Sequence, residues 1–268
     1  MKYFVIFEHE GRAFANRLWN DMSIYAYGLH EGTRTINLTY FEHTRFGRPL
    51  HLLFARLLDR LTRRRCGLWA GGSPKNLPPS VPSGGERCST LFFSGWLFRN
   101  PVGFTRYREA LLAAFGPTKQ VQKTIAQTLT PLAGKVLIGV YIRQTPYRGF
   151  TDGTFLISPA RVRTMLEEYL REKNLRAHDV GLVVVSDRAV PPALTQGFDT
   201  VTSTEEKEGF FLLSKCSAII GENSTFPNLA AWFADAPHIV TSEQPIVWAY
   251  YKDKTAYFDN QYATFTRG

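Results

Sequence analysis

Short apolar runs of strand length alternate along this chain with longer stretches whose apolar residues recur every three or four positions. "KYFVIFE" (2–8) is the first run. The stretch 13–32 then places Phe14, Leu18, Met22, Tyr25 and Leu29 at helical spacing, and Gly32 closes it as a C-terminal cap. "TRTINLTYF" (33–41) predicts a second strand, and 48–64 predicts a second helix with Leu50, Leu53, Leu57 and Leu61 on one face. A Pro/Gly/Ser-rich loop follows at 71–86, long enough to be either functional or mobile. "TLFFSGWLF" (90–98) reads as a strand, and 106–117 as a helix stopped by Gly116 and Pro117.

A second cycle begins near Lys119. Helical spacing over 118–132 is followed by the buried strand "GKVLIGVYIR" (134–143). A helix over 158–174 has Ser158 as its N-cap and Pro159 at its first position. "DVGLVVVSD" (179–187) is another buried strand, 205–216 a helix and "SAIIGEN" (217–223) a short strand. A helix entered through Thr225 and Pro227 leads to a last strand, "HIVTS" (238–242). Strands alternating with helices imply parallel sheets covered on both faces. The doubled alternation predicts an α/β chain with two Rossmann-like domains, 1–118 and 119–268, facing a cleft, with the junction inside 117–134.

Composition narrows this only a little. No apolar run is long enough to span a bilayer, and the N-terminal run reads as a strand rather than a signal peptide. Three widely spaced cysteines, Cys66, Cys88 and Cys216, argue for a reducing compartment, hence a cytoplasmic location, and no metal-ligand spacing accompanies them. The formal charge of +9 favours an anionic partner. The densest basic stretch, Arg56, Arg60, Arg63, Arg64 and Arg65, is either a solvated helix end or a patch facing anionic lipid on the inner side of a membrane. Nucleic acid is the weakest reading, since no aromatic-interleaved basic groove accompanies the charge.

In open parallel sheets ligands bind beyond the carboxyl ends of strands, so the residues there are the candidates. Arg143 ends a strand apolar enough to be central, and its guanidinium is a rigid fork for phosphate oxygens; the alternative is a pair with Asp187. "GENSTFP" (221–227) brings glycine and hydroxyl residues to a helix start, a natural anion site, unless Ser224 or Thr225 simply caps it. Asp187 either accepts from a ribose or base or pairs with Arg143 or Arg188. His9 and His43 read as surface histidines. No P-loop, no G-x-G-x-x-G after the first strand, no G-x-S-x-G elbow and no D-x-D pair occur. A bound nucleotide diphosphate would therefore be neutralised by protein cations rather than by a metal.

Taken in order, these stretches resemble the bacterial α-1,2-fucosyltransferases and the wider GDP-fucose-dependent superfamily. "AFANRLW" stands where that family has a G-G-x-G-N-Q-[LM]-F loop, with Asn16, Leu18 and Trp19 matching. "YIRQTPY" stands for H-x-R-R-G-D-Y, keeping Arg143 and Tyr147. Ser186–Asp187 matches a Ser-Asp pair, and "LLSKCSAIIGENSTFPNLAAWF" matches L-M-S-x-C followed by S-N-S-T-F-S-W-W. "LFFSGWLFRNPVGF" resembles the aromatic strand before the family's linker helix. The resemblance implies a GT-B-like, inverting, metal-independent transferase. It would move a sugar, fucose first, from a GDP-sugar to a glycan or lipid-linked glycan in polysaccharide biosynthesis.

Carried over by position, Arg143 binds the β-phosphate. Tyr141, Tyr147, Asp187, Asn223, Ser224, Thr225 and Phe226 line the donor pocket, and Phe14, Asn16 and Arg17 form the acceptor-side loop. The family's histidine is Tyr141 here, the acid of its central motif is Pro146, and its N-terminal glycines are Arg12, Ala13 and Ala15. The base is thus Glu8, Glu10 or Asp152, or leaving-group stabilisation by Arg143 and helix dipoles carries the reaction. With Arg143 and Asp152 as catalytic candidates, the alternative is a non-catalytic or regulatory nucleotide-binding relative, and a third reading is a basic binding protein.

Overall fold

The computed structural model describes residues 3–8, 13–37, 67–70, 75–76, 90–95, 98–145 and 157–251. Two compact units divide at Thr118 and Lys119. The predicted helix 48–64 with its arginines, and Tyr147 and Asp152, lie outside the described residues.

In the first unit, β1 (Tyr3–Glu8) and β2 (Arg34–Asn37) pair in parallel and are joined through α1 (Phe14–His30). With β3 (Gly67–Ala70) and β5 (Thr90–Gly95) they form a parallel sheet of order β2-β1-β5-β3. Phe4, Ile6 and Phe93 pack with Ile24, Tyr27 and Phe98 to make its core. The Phe4 ring lies 4.8 Å from that of Tyr27 and 5.2 Å from that of Phe93. Gly32 takes the left-handed conformation (φ 62°) just past α1, as its predicted capping role requires.

α1 buries more than an amphipathic stripe, because Asn20, Asp21 and Ser23 are buried too. Each has an assigned partner, as buried polar groups require. Asn20 Oδ1 accepts from the Phe98 N–H, Asp21 accepts from Asn37, and the Ser23 hydroxyl donates to the Trp19 carbonyl while the Ser23 carbonyl accepts from Asn100. This seam explains a departure from the predicted strand 90–98. β5 stops at Gly95, and Phe98–Arg99 becomes β6, paired with β4 (Lys75–Asn76). Phe98 gives its N–H to the helix rather than to the sheet. Asn100 then caps α2 (Pro101–Arg106) by accepting from Gly103 N at 2.8 Å, and α3 (Arg108–Phe115) completes the unit.

The second unit opens with α4 (Lys119–Thr128), followed by β7 (Val136–Ile142), α5 (Pro159–Glu172) and β8 (Val180–Ser186). A short helix α6 (Pro192–Thr195) leads to β9 (Asp199–Ser203). The chain then crosses to the other side of β7 through α7 (Glu206–Leu213), β10 (Ala218–Gly221), α8 (Thr225–Ala234) and β11 (His238–Val240). The sheet is wholly parallel, of order β11-β10-β7-β8-β9.

Period-2 alternation sends β7, β8 and β10 side chains to two faces. Ile138, Val140, Ile142, Leu182, Val184 and Ile220 pack against Val162, Met165 and Leu166 of α5. On the other face space is tight. A Cβ on Gly139 would lie 2.8 Å from Leu213 Cδ2, and one on Gly209 would lie 2.6 Å from Val185 Cγ1, so α7 rests directly on the sheet. Ser158 caps α5 as the sequence predicts, accepting from Arg161 N at 3.1 Å. Strand order grows outward from β7 in both directions. The switch point of this doubly wound sheet therefore lies between β7 and β10, where such folds hold ligands.

Candidate functional site at the β7–β10 switch point

Residues following β7, β8 and β10 meet at the carboxyl edge of the second sheet. Register pairs Tyr141 with Gly221 on one side and with Val185 on the other. Arg143, Gln144 and Thr145 leave β7 half-buried, and Arg143 Nε donates to the Thr145 carbonyl at 3.1 Å. That bond sets the plane of the guanidinium at the end of a rigid strand.

Asp187 holds this turn. Its Oδ1 accepts from Gln144 N at 2.7 Å and its Oδ2 from Thr145 N at 3.0 Å. Partial burial pushes its carboxyl up, but the Thr145 hydroxyl and the N–H groups of Gln144 and Thr145 outweigh it and hold the pKa below the ordinary value. Beyond the sequence alternatives, the geometry gives Asp187 a positioning task on the Arg143 turn. Ser186 adds to it, its Oγ accepting from Gln144 Nε2 at 2.9 Å and from Arg188 N at 3.3 Å.

Gly221 ends β10 where nothing larger fits. A Cβ there would lie 3.0 Å from Pro227 Cβ and 3.1 Å from Tyr141 Cβ. The close approach brings Phe226 over Tyr141, with ring centroids 4.7 Å apart and planes at 21°. Beyond Gly221 the chain turns tightly, Ser224 N donating to the Glu222 carbonyl at 2.8 Å, and α8 begins at Thr225. Ser224 occupies the N-cap position yet makes no side-chain cap, so the capping alternative is not realised. Pro227 has no N–H, which leaves Thr225 and Phe226 as the first-turn donors of a helix end that attracts anions.

Glu222 was not singled out from the sequence. It is 4% exposed, and neither carboxylate oxygen has a well-formed hydrogen bond. Burial pushes its pKa up to about 7; the nearby Ser224 hydroxyl and the Arg143 charge pull it down, and Asp187 pushes it up. Beneath it, buried His238 bonds the Gly221 carbonyl through Nε2 at 3.2 Å. A carbonyl only accepts, so Nε2 carries the proton, and burial lowers the imidazole pKa to about 4. The signal for Glu222 was an acid directly after the wholly apolar "AIIG".

The other candidates fare unevenly. Tyr141, Arg143, Asp187, Ser224, Thr225 and Phe226 come together, with half-buried Asn223 in the same turn. Phe14 of the acceptor-side loop is 1% exposed, so it packs the interior of the first unit rather than facing a ligand. Asn16 and Arg17, on the same turn of α1, are half-buried.

No protein-family model matches the chain, and no curated protein matches it by sequence. Solved structures do. POFUT1 in complex with GDP matches with a TM-score of 0.59 at 9% identity, over 89% of this chain and 98% of that one. A mutant of Arabidopsis thaliana FUT1 in complex with GDP matches with a TM-score of 0.54 at 15% identity, over 91% and 71%. Fucosyltransferase NodZ from Bradyrhizobium matches with a TM-score of 0.53 at 14% identity, over 92% and 97%. The α/β fold with parallel sheets, expected from the alternation of strands and helices, is therefore similar to that of fucosyltransferases of the GT-B-like kind.

Proposed function

We propose that this protein is a glycosyltransferase that takes its sugar from a GDP-sugar donor, fucose first. One observation carries the reading. Arg143 and the open start of α8 flank the switch point of a sheet whose fold is shared with solved proteins holding GDP, and in one case GDP-fucose. In this reading Arg143 and the Thr225 and Phe226 N–H groups neutralise the diphosphate, and the Tyr141–Phe226 stack borders the donor. Charge growing on the leaving diphosphate is met by groups already in position, which is where such sites gain most of their rate. Asn16 and Arg17 are kept for the acceptor, a glycan or lipid-linked glycan. Asp152 is kept as a candidate base for an inverting displacement.

The absence of a D-x-D pair from the sequence motivates a metal-independent mechanism. Thermal unfolding with GDP, UDP, CMP and ADP, each with and without a chelator, tests donor and metal together. GDP at a hundred times its Kd should stabilise by about 2.7 kcal/mol. Chelation should change nothing, and UDP, CMP and ADP should shift the transition less. Equal shifts with all four nucleotides, or loss of the GDP shift on chelation, would contradict the reading.

Peripheral contact of the Arg56–Arg65 stretch with an anionic membrane belongs to the same reading. Among the described residues no helix is long and apolar enough to cross a membrane. Vesicles containing phosphatidylserine should sediment wild type and not a variant with these arginines replaced by alanine. Equal sedimentation would return the cluster to a solvated helix end. A second reading, nucleotide binding without transfer, draws on Tyr141 standing where the family has histidine. Release of GDP from GDP-fucose in the presence of a glycan acceptor separates it from the first.

A further inference from the structure

We propose that Glu222 contacts the donor diphosphate as the neutral acid, so that nucleotide binding takes a proton from solvent. The inference rests on the GDP-sugar reading and deepens it by assigning a group that neither the motif comparison nor the fold supplies.

Three polar side chains at this one loop and helix start are buried without a well-formed hydrogen bond, although the Ser224 hydroxyl lies near the Glu222 carboxylate. The atoms are both Glu222 oxygens, Ser224 Oγ and the Asn228 amide nitrogen. Glu222 is 4% exposed and Asn228 1% exposed. Buried groups of this kind are costly to leave unmade, and several at one place point to a partner that arrives later. The helix end beside them favours an anion.

An ionised Glu222 would oppose that anion. The charged and titratable groups facing it are Arg143 after β7, Asp187 after β8, the Ser224 hydroxyl on its own loop and His238 on β11. Arg143 is the cation among them, Asp187 is a second anion, and His238 is neutral at ordinary pH. Adding a diphosphate leaves Arg143 facing several negative charges, which disfavours the carboxylate further. Protonation resolves both difficulties. Glu222–COO⁻ takes up H⁺, no other bond changes, and the new O–H donates to a phosphate oxygen where the carboxylate could only accept.

Calorimetric titration of the full chain with GDP and with inorganic pyrophosphate tests this at pH 7.5–8.5, in buffers of different ionisation enthalpy. For wild type the measured enthalpy should vary with the buffer, reporting proton uptake. Its affinity should fall as pH rises, at most about tenfold per unit. Glu222→Gln keeps the shape and a donor N–H but cannot titrate. It should bind both ligands with no buffer dependence and more tightly than wild type at pH 8.5. Pyrophosphate should reproduce the uptake, since the phosphates and not the base meet Glu222.

Binding of GDP without proton uptake, or Glu222→Gln binding no better than wild type at pH 8.5, overturns the assignment while leaving the GDP-sugar reading intact. Failure of both ligands to bind either protein removes the two together.

Discussion

Replacing Arg143 with lysine is expected to lower sugar-transfer turnover by about a hundredfold or more, with a smaller effect on GDP affinity. Arg143 follows β7, whose Ile138, Val140 and Ile142 are buried, so its backbone is fixed by the sheet. Its Nε bond to the Thr145 carbonyl fixes the guanidinium plane, and Asp187 fixes the turn that carries Thr145. Lysine keeps the charge but has neither the Nε bond nor a planar fork able to hold two phosphate oxygens. Loss of such a contact costs about 3–4 kcal/mol in the transition state. Exposed Arg188 is the control, and Arg188→Lys should leave turnover nearly unchanged. Near-normal turnover in Arg143→Lys, with a large loss in Arg188→Lys, would mean that the other arginine meets the diphosphate.

Glu222→Gln is expected to make the folded protein more stable at alkaline pH by up to about 3 kcal/mol, with the gain disappearing near pH 4.5. The Glu222 pKa rises on folding from 4.5 to about 7. Between those values the folded state keeps a proton that the unfolded chain has lost, so stability falls as pH rises, and the full cost is present above pH 7. His238 acts in the opposite sense. Its pKa falls on folding from 6.5 to about 4, so stability is lost as pH falls through that window. In wild type the two slopes oppose each other between pH 4.5 and 6.5. In Glu222→Gln the His238 slope should stand alone. Urea unfolding from pH 4 to 8.5 reads both effects, and equal stability of the two proteins at pH 8 would show that Glu222 is not held in a dry site.

Much of the second unit was legible because burial on both faces writes itself as apolar runs. "VGLVVVS" is a strand buried throughout and "VLIGVYI" one buried at its centre, and Ser158, like Gly32 in the first unit, marks a helix end by chemistry that few residues share. β9 is illegible for the complementary reason. "DTVTS" is an edge strand, half-exposed along its length, with one apolar residue to announce it. The split of 90–98 could not be read because Asn20, far away in sequence, takes the Phe98 N–H.

The site divides in the same way. Arg143 and Ser224–Thr225 were visible as residue types at strand ends. The task of Asp187 depends on which backbone N–H groups face it, which only folding decides. Glu222 lies inside "GENSTFP", but the sequence does not say that its carboxyl is buried without a well-formed hydrogen bond.

The central claim, that the carboxyl ends of β7 and β10 hold a GDP diphosphate, is tested most directly by a crystal structure of the protein grown with GDP. The account predicts phosphate oxygens within hydrogen-bond distance of the Arg143 guanidinium and of the Thr225 and Phe226 N–H groups, with Glu222 against the diphosphate. GDP bound away from this edge, or a diphosphate held by other cations with Arg143 turned from it, would contradict it.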